Sequence, residues 1–315
     1  MTHAQLLKNL EVPQGRIDVI LDSDTFNEAD DQFAMGLMLH SPEKFNIIGI
    51  TAVPFHNANS TSPADGMEKS YREILHLLEL DGKAAFKPRV YRGSLTYLPD
   101  EETPVPSDAA RFIVESARTY SPEHPLYVVA IGAGTNVASA ILMDRETMIN
   151  NTVVVWLSGH SREWPDAATE FNMRQDIAAA RVIFGCGVPL VQLPCMGVVS
   201  AFTVSKLELE KYLKGKGALA DYVATYTIND TDRWYAKKHG KPDMPWARCI
   251  WDVTAVGWLL NEGNRLMKSY LIPAPIPQYD KTYSFDPRRH PIRYVYHIER
   301  DRLCEELFNK LTNGL

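Results

Sequence analysis

Residues 19–36 read VILDSDTFNEADDQFAMG. The stretch continues an apolar run, Ile17 to Leu21, interrupted only by Asp18. Four aspartates then fall within ten residues: Asp22, Asp24, Asp30 and Asp31. Beyond them Phe33, Ala34, Leu37 and Met38 recur at helical spacing. The pattern predicts a short buried strand over 17–21 and a helix from about 29 to 40, stopped near Pro42, with the carboxylates at the junction. In open α/β sheets ligands bind there, outside the carboxyl ends of the strands. Carboxylates this crowded repel one another unless protons or a cation neutralise them. A hard divalent metal with oxygen ligands does this most simply. Helix capping is the plainer use of Asp at such a place, but it needs one or two acids, not four.

Outward from this stretch, strand and helix signals alternate. Strands are predicted at 45–53, 88–92, 126–131, 152–157 and 189–193, and helices at 67–80, 107–120, 136–143 and 176–184. A short lead-in helix is expected at 3–10. Such alternation is the mark of an α/β fold: a mostly parallel open sheet flanked by helices, with the site at the carboxyl ends of its strands. The Pro-rich loop 94–107 is long for a plain connection. From Ser205 to His239 the text turns polar and helical. A helix at 252–261, a hairpin-like region at 269–298 and a closing helix at 302–312 follow. No linker breaks the pattern, so residues 1–315 are expected to form a single domain, with 205–250 as a helical lid.

The chain has 315 residues, 45% of them hydrophobic, ample for a large core. Its net charge of −6 and the lack of a basic run argue against a nucleic-acid partner. Cys186, Cys195, Cys249 and Cys304 form no C-x-x-C pair and sit among apolar neighbours, as buried thiols in a reducing compartment do. No run approaches a membrane span and no signal peptide is evident, so the expectation is a cytoplasmic protein without a membrane partner.

Other polar groups share the placement of the aspartates. The second strand leads to His56 and Asn57, the 158–172 loop ends in Glu170-Phe171-Asn172, and Trp251-Asp252 stands at a helix start. Asp, Glu and Asn suit oxygen ligation of a hard cation and hydrogen bonding to a polyol. Two other chemistries compete. Asp22-Ser23-Asp24-Thr25 after a strand fits the D-x-D-x-T of haloacid-dehalogenase-type phosphatases, in which the first Asp attacks phosphate. That family also needs a late acidic pair, and the strand at 152–157 ends in Leu157-Ser158-Gly159-His160 instead. Gly132-x-Gly134 resembles a dinucleotide turn, but the sixth position is Val137 and no ribose-binding acid is placed.

The ordered set resembles the nucleoside hydrolases of the inosine–uridine type. It runs from Asp22, Asp24, Asp30 and Asp31 through Ile50-Thr51 to Asn57, then Gly134-Thr135-Asn136, Glu170-Phe171-Asn172 and Asp252, collinear over about residues 17–260. The resemblance implies an N-ribohydrolase that splits ribonucleosides into ribose and free base through a Ca²⁺-bound water activated by Asp24. By the same resemblance Asp24, Asp31, Asp252 and the main-chain carbonyl of Ile131 hold Ca²⁺. Asp30, Asn57, Glu170 and Asn172 bind the ribose, and Asp22 supports the cluster from behind. It further implies a dimer or tetramer and a place in purine or pyrimidine salvage.

The chain departs from that family at the base. The turn between Asp24 and Asp30 is two residues longer than the usual one and brings in Asn27 and Glu28. Trp251 replaces the His that precedes the last Asp, and loop 94–107 has no His. A purine-preferring subgroup carries Trp at this position and stacks it on the base, so Trp251, with Trp164 or Trp246, is a candidate stacking residue. His56, His160 and His239 are alternative acids, and Arg233, Trp234 and Tyr235 could meet the base from the lid. Two rivals follow: a Mg²⁺-dependent phosphatase built on Asp22 and Asp24, and a nucleoside-binding protein without hydrolysis.

Overall fold

The structure, a computed structural model, describes residues 1–240 and 244–312. Strand β1 (Ile17–Ser23) lies inside an eight-stranded sheet. Its apolar residues Val19, Ile20 and Leu21 are fully buried, Val19 and Leu21 under one helical layer and Ile20 under the other. A parallel strand covered on both faces has this continuous apolar text. Beside it run β2 (Phe45–Ala52), with the short β3 (Val90–Tyr91) at the edge, and β4 (Leu126–Ala130) on the other side. Then come β5 (Thr152–Leu157) and β6 (Leu190–Leu193). A separate antiparallel pair is made by β7 (Thr203–Ser205) and β8 (Ala247–Cys249). Strand β9 (Met267–Pro273) precedes a small hairpin of β10 (Ile276–Pro277) and β11 (Tyr283–Ser284), and β12 (Pro291–Ile298) completes the sheet. The strand order is β3-β2-β1-β4-β5-β6-β12-β9. All neighbours are parallel except β12 and β9. The order reverses between β1 and β4, and at such a switch point two neighbouring loops part to leave a crevice.

Helix α1 (His3–Asn9) leads in, and α2 (Asp30–Leu39) follows β1. All ten residues of α2 are buried, because α10, α11 and α12 surround it. The remaining helices are α3 (Pro63–Leu80), α4 (Asp108–Ala117), α5 (Thr135–Met143), α6 (Arg145–Asn151), α7 (Phe171–Gln175), α8 (Ile177–Cys186), α9 (Lys206–Tyr212), α10 (Ala218–His239), α11 (Val253–Leu259) and α12 (Arg300–Leu311). Helices α2, α3 and α9 to α12 cover one face of the sheet and α4 to α8 the other. No described helix is long and apolar enough to cross a membrane.

The expected alternation is present, with differences at its weaker points. The polar 205–239 text forms two helices, α9 and α10, and between them the chain turns through positive φ at Gly215 and Gly217, which glycine adopts freely. Helices α6 and α7 were not expected. Each is a short turn begun by an acidic cap, Asp144 and Glu170. The hairpin-like 269–298 region holds two strands of the main sheet around a small inserted hairpin. The Pro-rich loop is tied down at the rim: Leu98 N donates to Asp176 Oδ2 at 2.9 Å and the Tyr97 hydroxyl to Gln175 at 2.6 Å.

Candidate active site

Strand β1 and the start of α2 bring Asp22, Asp24, Asp30 and Asp31 to one place, all buried. Asp252, immediately before α11, joins them from the far end of the sequence. Its side chain makes no capping bond, so the helix start does not account for it.

Asp22 is turned into the protein. Its Oδ1 accepts from Thr51 Oγ1 at 2.6 Å and from Asn136 Nδ2 at 2.8 Å. Asn136 also donates to the Ala52 carbonyl at 3.0 Å and accepts from Ser94 N at 2.9 Å. One aspartate thus ties together the ends of β1 and β2, the turn after β4 and the start of the long loop. Those bonds hold the Asp22 carboxylate toward the strand ends. Asn136→Ala would leave the Ser94 N–H unpaired and Asp22 short of a donor. The expected loss is about 3 kcal/mol of unfolding free energy, since each buried polar group left alone costs about 1–3 kcal/mol. Urea unfolding measures it, and a loss under about 0.5 kcal/mol would show that the network does not support the fold.

Asp24 and Asp31 have fewer partners. Both Asp24 carboxylate oxygens and Asp31 Oδ2, like Asp22 Oδ2, are buried with no hydrogen-bond partner among the described residues. Asp31 Oδ1 accepts from Ser23 Oγ at 2.6 Å, and Thr25 Oγ1 lies 2.5 Å from that hydroxyl. The main chain at Gly132 passes so close that a Cβ there would stand 3.0 Å from Asp24 Cγ, which only glycine permits without a shift. Carboxylate oxygens of Asp30, Asp31 and Asp252 lie within 4.8 Å of one another. Burial first, then the neighbouring carboxylates, push Asp24, Asp31 and Asp252 well above the usual carboxylate range. Asp30 is pushed up to about 7, mainly by burial and by Glu28, with Arg248 pulling the other way. Buried charges of one sign need a counter-charge. Orphaned oxygens and an all-oxygen donor set fit a hard divalent cation.

A cavity of about 260 Å³ opens above this floor. Asp30, Ile131, Glu170, Asn172, Trp251 and Asp252 all line it. Glu170 is heavily committed: its carboxylate accepts from the backbone N–H groups of Asn172 at 2.8 Å, Met173 at 2.9 Å and Gly159 at 3.0 Å. Burial holds it at about 7 despite those bonds. Asn172 Nδ2 bridges two strand ends, donating to the carbonyls of Ile131 at 3.2 Å and Leu157 at 3.1 Å. A carbonyl has two lone pairs, so the Ile131 oxygen keeps one for a further partner.

A second cavity, about 480 Å³, adjoins the first and shares Asn27, Glu28 and Trp251 as walls. Tyr226, Trp234, Tyr235 and Arg248 enclose it from α10 and β8. The structure places Asn57 in this second cavity rather than the first, where its amide donates to Asn27 Oδ1 at 2.5 Å. Glu28 Oε2 lies 3.3 Å from Arg248, whose Nη1 donates to Asp230 at 2.6 Å and to Thr231 at 3.1 Å. The two extra residues of the 24–30 turn therefore reach the second cavity. Trp164 and Trp246 line neither cavity, and the Trp246 N–H is given to Asp232 at 2.8 Å. His56, His239 and Arg233 are also outside both. His160 lines the first cavity, where its Nδ1 accepts from Met196 N at 3.1 Å. Sequence reasoning missed Arg248, Tyr226 and Asp230, since no local pattern marks them.

Comparison with known proteins bears on this geometry. The profile of the inosine-uridine preferring nucleoside hydrolase family matches residues 19–299. A probable uridine nucleosidase 2 of Arabidopsis thaliana is 28% identical over 232 residues, 66% of this chain and 68% of that protein. A plant nucleoside hydrolase structure superposes with a TM-score of 0.72 at 19% identity, over 94% of this chain and 99% of that one. A purine-preferring ribonucleoside hydrolase from Gardnerella vaginalis gives 0.69 at 19% identity, over 94% and 98%. At such identities the two structures speak for the fold.

Proposed function

Because this chain belongs to the inosine-uridine preferring nucleoside hydrolases, we propose that it hydrolyses the N-glycosidic bond of ribonucleosides, releasing ribose and the free base. The observation that carries this reading is the set of orphaned carboxylate oxygens on Asp24 and Asp31 beneath a polar cavity. Asp24, Asp31, Asp252 and the Ile131 carbonyl would hold Ca²⁺. When bound, such a cation supplies positive charge and makes a neighbouring water more acidic. Asp24 takes the proton of the attacking water. Asp30, Glu170 and Asn172 position the ribose hydroxyls, and the surrounding carboxylates favour the positive charge that develops on the sugar. Trp251, a wall of both cavities, stacks on the base. Asp22 fixes the strand ends beneath them. The second half of α10 covers the base. A dimer or tetramer, a cytoplasmic location and a salvage role belong to the same reading.

The test is a panel of ribonucleosides assayed with Ca²⁺ for reducing sugar. Turnover of at least one is expected; binding without turnover of any would replace hydrolysis by nucleoside capture. Specificity for the sugar follows from the polar cavity. A 2′-deoxyribonucleoside is expected to react about 1000-fold more slowly, because the groups that meet the 2′-hydroxyl are left unpaired. Equal kcat/KM for the two sugars would remove the hydroxyl contacts from the account.

A further inference from the structure

Among the described residues, the base cavity has no histidine to give a proton to the base. Trp251 has no acidic proton to give to a departing base. His160 lines the first cavity, where it accepts a backbone N–H on Nδ1 and burial lowers its pKa. Glu28 and Asp230 are both engaged by Arg248. Burial pushes the Tyr226 phenol upward, making it a weaker acid. Yet a base that leaves unprotonated carries away the electron pair of the broken bond, and that charge needs a partner.

Arg248 supplies one. Among the described residues it is the one Arg or Lys lining the second cavity, and its side chain is 19% exposed. Glu28, Asp230 and Thr231 hold it through three N–H groups. A guanidinium has five. Nε–H and one Nη2–H therefore have no acceptor among the described residues. The group also stands close enough to Asp30, on the ribose side, for its charge to pull that carboxyl down. Glu28, from the lengthened turn, fixes the fork on the side nearest the sugar.

We infer that Arg248 is a further catalytic residue, which donates to the departing base and holds its charge where relatives use an acid; this rests on the ribohydrolase reading. The C1′–N bond breaks with its electron pair passing to the base nitrogen. Water oxygen bonds to C1′ and its proton passes to Asp24. The base leaves as an anion hydrogen-bonded to Arg248 and takes a proton from solvent, and Asp24 returns its own to solvent. The substrate class is a ribonucleoside whose base presents carbonyl or ring-nitrogen acceptors to the guanidinium.

The test compares a natural nucleoside that the enzyme turns over with 4-nitrophenyl β-D-ribofuranoside, whose leaving group needs no help. Arg248→Gln is expected to lower kcat about 100-fold for the nucleoside and less than threefold for the nitrophenyl riboside, as loss of one charge-stabilising donor does. Equal loss on both substrates, or no loss on either, overturns the inference while ribohydrolase activity stands. A wild-type enzyme that splits neither substrate overturns the ribohydrolase reading and this inference with it. If Arg248→Gln does not fold, judged by its thermal melt, Arg248→Met carries the same comparison, because Met keeps much of the apolar stem and removes the charge and the N–H donors.

Discussion

Asp24→Asn is expected to leave the fold intact and to reduce turnover of every ribonucleoside by at least about 1000-fold. The amide has nearly the shape of the carboxylate but cannot take a proton from water, and a positioned base contributes about 100- to 10,000-fold. It also removes one anion from the cation site. The fold should tolerate the change, since both Asp24 oxygens are buried without partners among the described residues and burial opposes their charge. In the absence of a cation the variant is expected to melt above the wild type, because it buries one fewer uncompensated acid. Steady-state rates with a thermal melt decide it. Wild-type activity in a folded Asp24→Asn protein would remove Asp24 as the base.

Withdrawal of divalent cation is expected to have an effect of similar size. Chelation should abolish turnover, Ca²⁺ should restore it, and stability should change with it. A ligand at about 100 times its Kd stabilises the folded state by about 2.7 kcal/mol. The pH dependence has a defined sign. Burial raises Asp22, Asp30 and Glu170 to about 7, above the usual carboxylate range. The folded protein then binds more protons than the unfolded chain, so without cation it is most stable in acid and loses stability as pH rises from about 4 through about 7. Added Ca²⁺ should raise the melting temperature more at pH 8 than at pH 5. A melting temperature indifferent to Ca²⁺ at both values would contradict a cation in this cluster.

Much of this architecture is legible in the sequence because its signals are local. The apolar run before Asp22 and the spacing of Phe33, Ala34, Leu37 and Met38 give β1 and α2 directly. Strand ends and helix starts then bring the acidic and amide residues to one rim, and the strand order places that rim at the switch point between β1 and β4. The second cavity is not legible, because tertiary contacts build it. Glu28 meets Arg248 across 220 positions of sequence. Asn57 is drawn to Asn27 and away from the first cavity by a hydrogen bond that no spacing rule foretells. The break at 213–217 lay hidden in text that reads as helix, since two glycines with positive φ decide it. Helices α6 and α7 are too short for periodicity to reveal, and only their caps give them away.

The most direct test follows both products of one reaction. The wild-type protein, loaded with Ca²⁺, is incubated with ribonucleosides, and free base and ribose are quantified side by side, with ribose 5-phosphate as a parallel substrate. The expected result is equimolar base and ribose from at least one ribonucleoside, and no inorganic phosphate from the sugar phosphate. Phosphate release without ribose, or no release of either from any substrate, would contradict a metal-assisted ribohydrolase at the Asp24 cluster.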